Sequence, residues 1–338
     1  MLTWEWWGDA KAWLEPVRGL IATTILAGIG GYGLKKLKRS LPESLLKREP
    51  PSACLPAGDL AMLNRLYQGQ ALCSGPYFHE PVVEDLGAWE LTAAEQTSAD
   101  QFRLKLRQAN VPNDAHAAIT GSIDVEDDPV ALQVRTMDYA VLKALRESRP
   151  NASWPRILSA SALVIDAPEK RLILHRRSPK SATYPEHLHT IGGAYWPAME
   201  GRDGDRGSVR NTALRETLEE LNTAIAIRKE TPLCLLQEVQ TGFVQFVYLG
   251  CELFDSEYLK SNAEGKFTCV SFVNLADVLK GERRLVPTGE AAILMWLAMG
   301  APGVDPDTRF SGRRPRQLFA DICKERGASA SQASARSD

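Results

Sequence analysis

Between Ser208 and Asn222 the chain reads SVRNTALRETLEELN. At about 100° per helical residue, Leu214, Thr217, Leu218 and Leu221 fall on one side, and Glu216, Glu219 and Glu220 gather on the other. Three carboxylates confined to one patch repel one another by on the order of several kcal/mol at low effective dielectric. A hard divalent cation resolves that conflict, because Mg²⁺ or Mn²⁺ takes oxygen ligands and keeps waters that a phosphate can displace. The same residues also suit a solvated helix face whose glutamates meet only water and Arg215.

The segment ahead of the helix narrows the chemistry. His189-Thr190-Ile191-Gly192-Gly193 supplies a glycine pair before a loop, and Arg215-Glu216-x-x-Glu219-Glu220 follows. In these residues the sequence resembles the Nudix family, whose box reads G-x5-E-x7-R-E-U-x-E-E-x-G-U. Taking Gly193 as the first glycine puts Arg215 22 residues on instead of 14, so the loop carries eight extra residues, with WPAMEGRDGDRG as their site. Counting back from Arg215 places Gly207 where the box has its first glutamate, and counting forward places Asn222 at the closing glycine. Asn tolerates the left-handed conformation of a helix C-cap. Gly207 supplies no carboxylate, although Glu200, Asp203 or Asp205 lies close enough in sequence to take that place.

The resemblance implies that Glu216, Glu219 and Glu220 ligate Mg²⁺ or Mn²⁺, and that Arg215 bridges to a neighbouring carboxylate to hold the helix. It also implies that Gly192 and Gly193 bring backbone close to a diphosphate. Family members cleave nucleoside diphosphates linked to a further group by water attack at a metal-bound phosphorus, and some members only bind nucleotides. Whether this chain is an enzyme of that type is left open by the altered box.

These residues need elements to hold them. SALVIDA and RLILHRRS are apolar runs joined by Pro168-Glu169-Lys170, the pattern of a buried antiparallel hairpin. After the acidic helix come PLCLLQEV and FVQFVYLGCEL, then a strand near FTCVSFVNL and an apolar helix at GEAAILMWLAMG. That order matches a Nudix-like α/β/α sandwich with a mixed sheet over residues 151–305. Arg176 and Arg177 end a strand directed at the same cleft in Nudix folds, so one of them can meet a phosphate. Tyr195 and Trp196 either stack on a base or pack beneath the loop. His187 and His189 alternate on one extended segment without a third ligand at useful spacing, which favours a structural role. Glu238 is a possible general base by its position in a late strand.

The N-terminus carries a second signal. From Gly19 to Leu34, GLIATTILAGIGGYGL runs 16 residues without a charge, behind Trp4, Trp6, Trp7 and Trp13 and ahead of KKLKR. Sixteen residues make about 24 Å of helix against a hydrocarbon core of about 30 Å, and Arg18 and Lys35 can snorkel to extend it. We read a single spanning helix over about residues 17–36. A buried soluble helix, an interfacial helix and a secretory signal compete with it; the run has no polar face, and its start is acidic and rich in tryptophan. Lys35, Lys36, Lys38 and Arg39 follow the run, so the positive-inside bias places the rest of the chain in the cytoplasm. Thr23, Ala27 and Gly31 form a small-x-x-x-small ridge suited to helix self-association.

Residues 1–40 therefore read as a membrane anchor, 41–150 as a proline-rich tether and ancillary region, and 306–338 as a basic, partly disordered tail. Within the second region the expectation is a short helix from Asp59 to Tyr67, loop from 68 to 85, a strand at FRLKLRQ and a helix at MDYAVLKALRESR. A formal net charge of −2 gives no global attraction to nucleic acid. Six scattered cysteines without C-x-x-C spacing suggest neither a zinc site nor a disulfide framework.

One spanning helix joined to an altered Nudix box resembles the membrane-anchored Nudix effectors of bacterial cyclic-oligonucleotide antiphage systems (CBASS). That resemblance implies a homo-oligomer in the inner membrane with its C-terminal domain cytoplasmic. It further implies a nucleotide or cyclic-oligonucleotide ligand made by a partner nucleotidyltransferase, and an effect on the bilayer. The other reading is a membrane-tethered, Mg²⁺-dependent Nudix hydrolase of a nucleoside diphosphate-linked substrate.

Overall fold

The computed structural model describes residues 55–334 except 69, 151–153, 180, 182, 198–207, 222–224, 228–231, 240 and 253–265. The anchor expected at 17–36, with Thr23, Ala27 and Gly31, lies outside the described residues, as do Glu200, Asp203, Asp205, Gly207 and Asn222. Among the described residues no helix is long and apolar enough to cross a membrane.

The spine is β5, Arg156–Asp166, an eleven-residue run buried at all but its first position. Its alternating apolar side chains need cover on both faces, which a central strand obtains from helices on either side. Along one edge β5 pairs in parallel with β11, Phe243–Glu252, from Ile157 opposite Phe243 to Ile165 opposite Cys251. Along the other edge three short strands succeed one another. These are β3 (Ala115–Thr120), then β8 (Ile191–Ala194), then β6 (Arg171–Arg176), all antiparallel to β5. β10 (Cys234–Glu238) continues the sheet beyond β11, and β1 (Ala71–Ser74) beyond β10. β4 (Ala131–Asp138) and β2 (Val82–Ala88) extend it past β3, β2 running parallel to β4. β12 (Lys266–Ser271) and β7 (Leu188–His189) flank β6, and β9 (Ile225–Ile227) pairs with β11. The sheet is mixed.

Alternation along β5 and β11 divides the core. Leu163, Ile165, Val247 and Leu249 pack with the helices α1 (Ala57–Leu66), α5 (Pro287–Ala298) and α6 (Pro315–Ser334). Leu158, Ala160, Phe246 and Tyr248 pack with Val209 and Ala213 of α4 (Val209–Leu221), and Ala162 and Val164 with its Leu221. α5 has Pro at its first turn and is apolar all round, as a helix buried on every side must be: Ile293 to Ala298 have no exposed surface.

Four expectations are corrected. Residues 68–85, read as loop, hold β1 and the start of β2, and β1 and β3 join the same sheet through β1–β10 and β3–β5 pairing. FRLKLRQ is the end of a helix, α2 (Ala93–Gln108), not a strand. Its start is set by a capping box, in which Thr92 accepts from the Glu95 amide at 3.3 Å and Glu95 accepts from the Thr92 amide at 2.9 Å. The tail is largely helical, since α6 buries Leu318, Phe319, Ile322 and Cys323, and Arg313 of the basic run pairs with Asp321 at 2.8 Å. On α4, Leu218 is exposed; the buried stripe is Val209, Thr212, Ala213, Thr217 and Leu221. The helix expected at MDYAVLKALRESR is α3, Tyr139–Ser148, capped by the Asp138 side chain on the Val141 amide.

Candidate functional site

Two glycines let β8 fit between β5 and α4. A side chain at Gly192 would run into the Ala160 carbonyl and the Ser161 backbone of β5, so this position must be bare for the strands to pair. At Gly193 a Cβ would occupy the space of the Glu216 carboxyl group. Glu216 is thereby laid flat on the strand. Burial, reinforced by Glu219 and Glu220 and opposed by Arg215, pushes its pKa up to about 7.

Arg215 organises the neighbouring carboxylates. Its Nη1 lies 2.8 Å from Glu216 Oε1 and 3.2 Å from Glu219 Oε2, and Nη2 donates to the Ala194 carbonyl at 3.3 Å. Glu219 is half exposed, whereas Glu220 is turned inward, with Oε2 3.5 Å from His175 Nε2. The helix itself is fixed at its start by Glu80. One oxygen of that carboxylate accepts from the Arg210 amide and the Ser208 hydroxyl, both at 2.9 Å, and Tyr248 donates to both oxygens at 2.9 Å. This is an N-terminal cap supplied from about 130 residues away in sequence.

Beneath Gly192 and Gly193 opens a cavity of about 620 Å³. Its rim toward α4 is Glu220 with His175 from the end of β6. One wall is formed by Arg177, Ser178, Ser181, Thr183 and Tyr184. The floor is Ser159 of β5, Phe243 and Gln245 of β11, and Glu238 at the end of β10, closed by Val286 and Thr288 at the start of α5. Such a space holds a molecule of nucleotide size, and its lining mixes two aromatic rings with hydroxyls, an amide and charges of both signs.

The ionisable groups are held away from their usual behaviour. Burial, with Arg177 nearby, lowers the pKa of His175 to about 4 and that of His189 to about 3, so both are neutral at pH 7. A neutral His189 fits its partners: Nδ1–H donates to the Thr190 carbonyl at 2.7 Å, and Nε2 accepts from the Thr288 hydroxyl at 3.0 Å. Burial also lowers the pKa of Arg177, against the pull of Glu238 and Tyr184. Its Nε donates to the Thr183 carbonyl at 3.0 Å, which ties the wall segment to the cavity. Glu238 is 7% exposed. One of its oxygens accepts from Thr241 Oγ1 at 2.6 Å, and Oε1 makes no hydrogen bond.

The expected site residues thus separate. Glu220, Gly192 and Gly193 line the cavity, Glu216 rests on Gly193, and Arg215 links Glu216 to Glu219. Arg176 does not line it; it is exposed on the other side of the strand and pairs with Glu186 at 2.9 Å. Of the two readings of Tyr195, ligand binding by stacking is set aside and packing holds: it is a core residue, 2% exposed among Leu158, Val209 and Ala213. His175, Tyr184, Gln245, Thr288 and Glu80 escaped sequence reasoning. The first of these had a signal, a histidine placed within the apolar run RLILHRR.

Mg²⁺ or Mn²⁺ at the three glutamates meets a geometric objection. Among the described residues no three His, Cys, Asp or Glu side chains are gathered to hold one ion. Arg215 already neutralises two of the three carboxylates, and the third is turned toward His175. As placed, the donor set does not fit a shared metal.

No family model and no curated protein matches this sequence. Solved structures similar to it include proteins named as NUDIX hydrolases or NUDIX domains. A NUDIX hydrolase from Nitrosomonas europaea is 17% identical, with 42% of this chain and 88% of that one covered and a TM-score of 0.31. A bifunctional NMN adenylyltransferase/ADP ribose pyrophosphatase from Francisella tularensis, complexed with AMP and a Mn ion, is 18% identical over 46% and 44%, with a TM-score of 0.34. The NUDIX domain of Shewanella oneidensis NrtR, complexed with ADP ribose, is 17% identical over 45% and 94%, with a TM-score of 0.33. Likenesses of this degree leave the chemistry of the cavity to its own residues.

Proposed function

We propose that the cavity binds a phosphate-bearing nucleotide and that the chain is a Nudix-like nucleotide-recognition protein. The observation that carries this reading is the shared lining of one 620 Å³ space by Arg177, the Gly192–Gly193 backbone, Tyr184 and Phe243. A guanidinium and bare backbone suit phosphate oxygens, and the rings suit a base. Recognition is favoured over turnover because Arg215 engages Glu216 and Glu219, and because Gly207 brings no carboxylate to the altered box. With the charge-free run from Gly19 to Leu34, the reading extends to a membrane-anchored sensor. In that form a nucleotide signal, cyclic oligonucleotides included, and a partner nucleotidyltransferase control self-association in the inner membrane and compromise it.

One observation supports the hydrolase reading. Glu216, buried against Gly193 beside the cavity and with its pKa raised to about 7, is a carboxyl able to exchange a proton near neutral pH. The two are separated by titrating the full chain in detergent micelles with nucleoside diphosphates, diphosphate-linked dinucleotides and cyclic oligonucleotides, with Mg²⁺ present, and following both heat and product. Saturable binding without product, weakened by Arg177→Ala, supports recognition. Product that disappears with Glu216→Gln supports the hydrolase. Neither binding nor product from any of them contradicts both.

A further inference from the structure

The cavity floor contains a polar group whose needs the protein does not meet. Glu238 ends β10 with 93% of its surface buried, and the Thr241 hydroxyl satisfies one carboxylate oxygen at 2.6 Å. Oε1 is buried and has no hydrogen bond of normal length and angle, although the Tyr184 hydroxyl lies close enough to the carboxylate for Glu238 to raise its pKa. A buried acceptor left unpaired is costly, more so when charged, so a fold retains one where something else supplies the donor. Glu238 lines the cavity, and rotation of its carboxyl group presents Oε1 to a ligand donor there.

Its neighbours indicate which part of a ligand comes there. Gln237 faces Val244 across the antiparallel pair, which puts Glu238 opposite Phe243 in the same register. Two residues along β11, on the same side of the strand, Gln245 is 6% exposed and also lines the cavity. An aromatic ring, an acceptor and a bifunctional amide grouped on adjacent strands match the face and edge of a heterocycle. Arg177, which suits phosphate, lines the same cavity from the segment after β6, within electrostatic reach of Glu238.

We infer that Glu238 is a specificity residue, whose Oε1 accepts a hydrogen bond from an exocyclic amine on the base of the bound nucleotide. A base with a carbonyl oxygen at that position brings two acceptors together. The inference rests on the nucleotide reading of the same cavity, and the carboxylate adds selection among bases to it.

The test compares ADP with IDP, and CDP with UDP, as ligands of the full chain in detergent micelles. Within each pair the amine is exchanged for a carbonyl oxygen. The wild-type chain is expected to bind the amino member of at least one pair about tenfold or more tightly, the usual discrimination by one well-placed base contact. Glu238→Gln, whose amide can donate to a carbonyl, is expected to level or reverse the ratio. A merely structural role for Glu238 would weaken both members equally and leave the ratio intact. Binding of both members with equal affinity, or a ratio unchanged by Glu238→Gln, overturns the assignment while leaving the nucleotide reading standing. Failure of all four to bind overturns the nucleotide reading and this inference with it.

Discussion

Gly192 and Gly193 are adjacent and of one type, yet the structure gives them opposite responses to alanine. At Gly192 the added methyl meets the backbone of Ala160 and Ser161, which cannot move without parting β8 from β5. Overpacking against backbone makes Gly192→Ala cost about 2 to 4 kcal/mol at any pH. At Gly193 the methyl meets only the carboxyl end of Glu216, a side chain that can swing into water. Its folded pKa is raised from 4.5 to about 7, so the native state binds more protons than the unfolded chain between those values. Wild-type stability therefore falls as pH rises through that window, by at most about 3 kcal/mol at roughly 1.4 kcal/mol per unit. Gly193→Ala releases the carboxyl and abolishes that fall. Urea unfolding of wild type and both variants at pH 4.5 and pH 8 measures the difference. The deficit of Gly193→Ala should shrink or reverse between the two pH values by about 2 to 3 kcal/mol, and that of Gly192→Ala should stay constant. Equal, pH-independent losses for both would refute the placement of Glu216 on the strand.

Arg177→Ala should weaken nucleotide binding about tenfold or more by calorimetry, and Arg176→Ala, which removes only an exposed pair with Glu186, should change it less than twofold. Glu80→Ala should cost about 2 to 3 kcal/mol in urea unfolding, because it uncaps α4 and strands the buried Tyr248 hydroxyl, and amide exchange should rise first at residues 209–212. Ile322→Ala in α6 should cost about 2 to 4 kcal/mol, as for a core residue, while exposed Lys324→Ala should stay within about 0.5 kcal/mol. Both variants near neutral would return the C-terminus to the status of an unpacked tail.

Where hydrophobic periodicity was strong and local, the sequence was enough. The runs SALVIDA, RLILHRRS and FVQFVYLGCEL became β5, β6 and β11, and GEAAILMWLAMG became α5, because each carries an unbroken apolar stretch that the core buries. FRLKLRQ misled because its alternation mimics a strand over a few residues, whereas the Thr92–Glu95 capping box ten residues earlier starts the helix. The short strands β1 to β4 owe their state to partners far along the chain, which no local pattern reveals. At the site, Glu216, Glu220, Gly192 and Gly193 were legible from one motif. Glu80, Gln245 and Thr288 join them only through folding, from segments between about 20 and 140 residues away in sequence.

The central claim is that a nucleotide occupies the space beneath Gly192 and Gly193. Amide hydrogen exchange of the full chain in detergent micelles, with and without the tightest ligand from the nucleotide panel, tests it most directly. Added ligand should slow exchange in the Arg177–Tyr184 wall and at Gly192–Ala194 and leave the α2–α3 surface unchanged. Saturating binding that protects α2 or α3 instead, with both cavity segments unaltered, would contradict it.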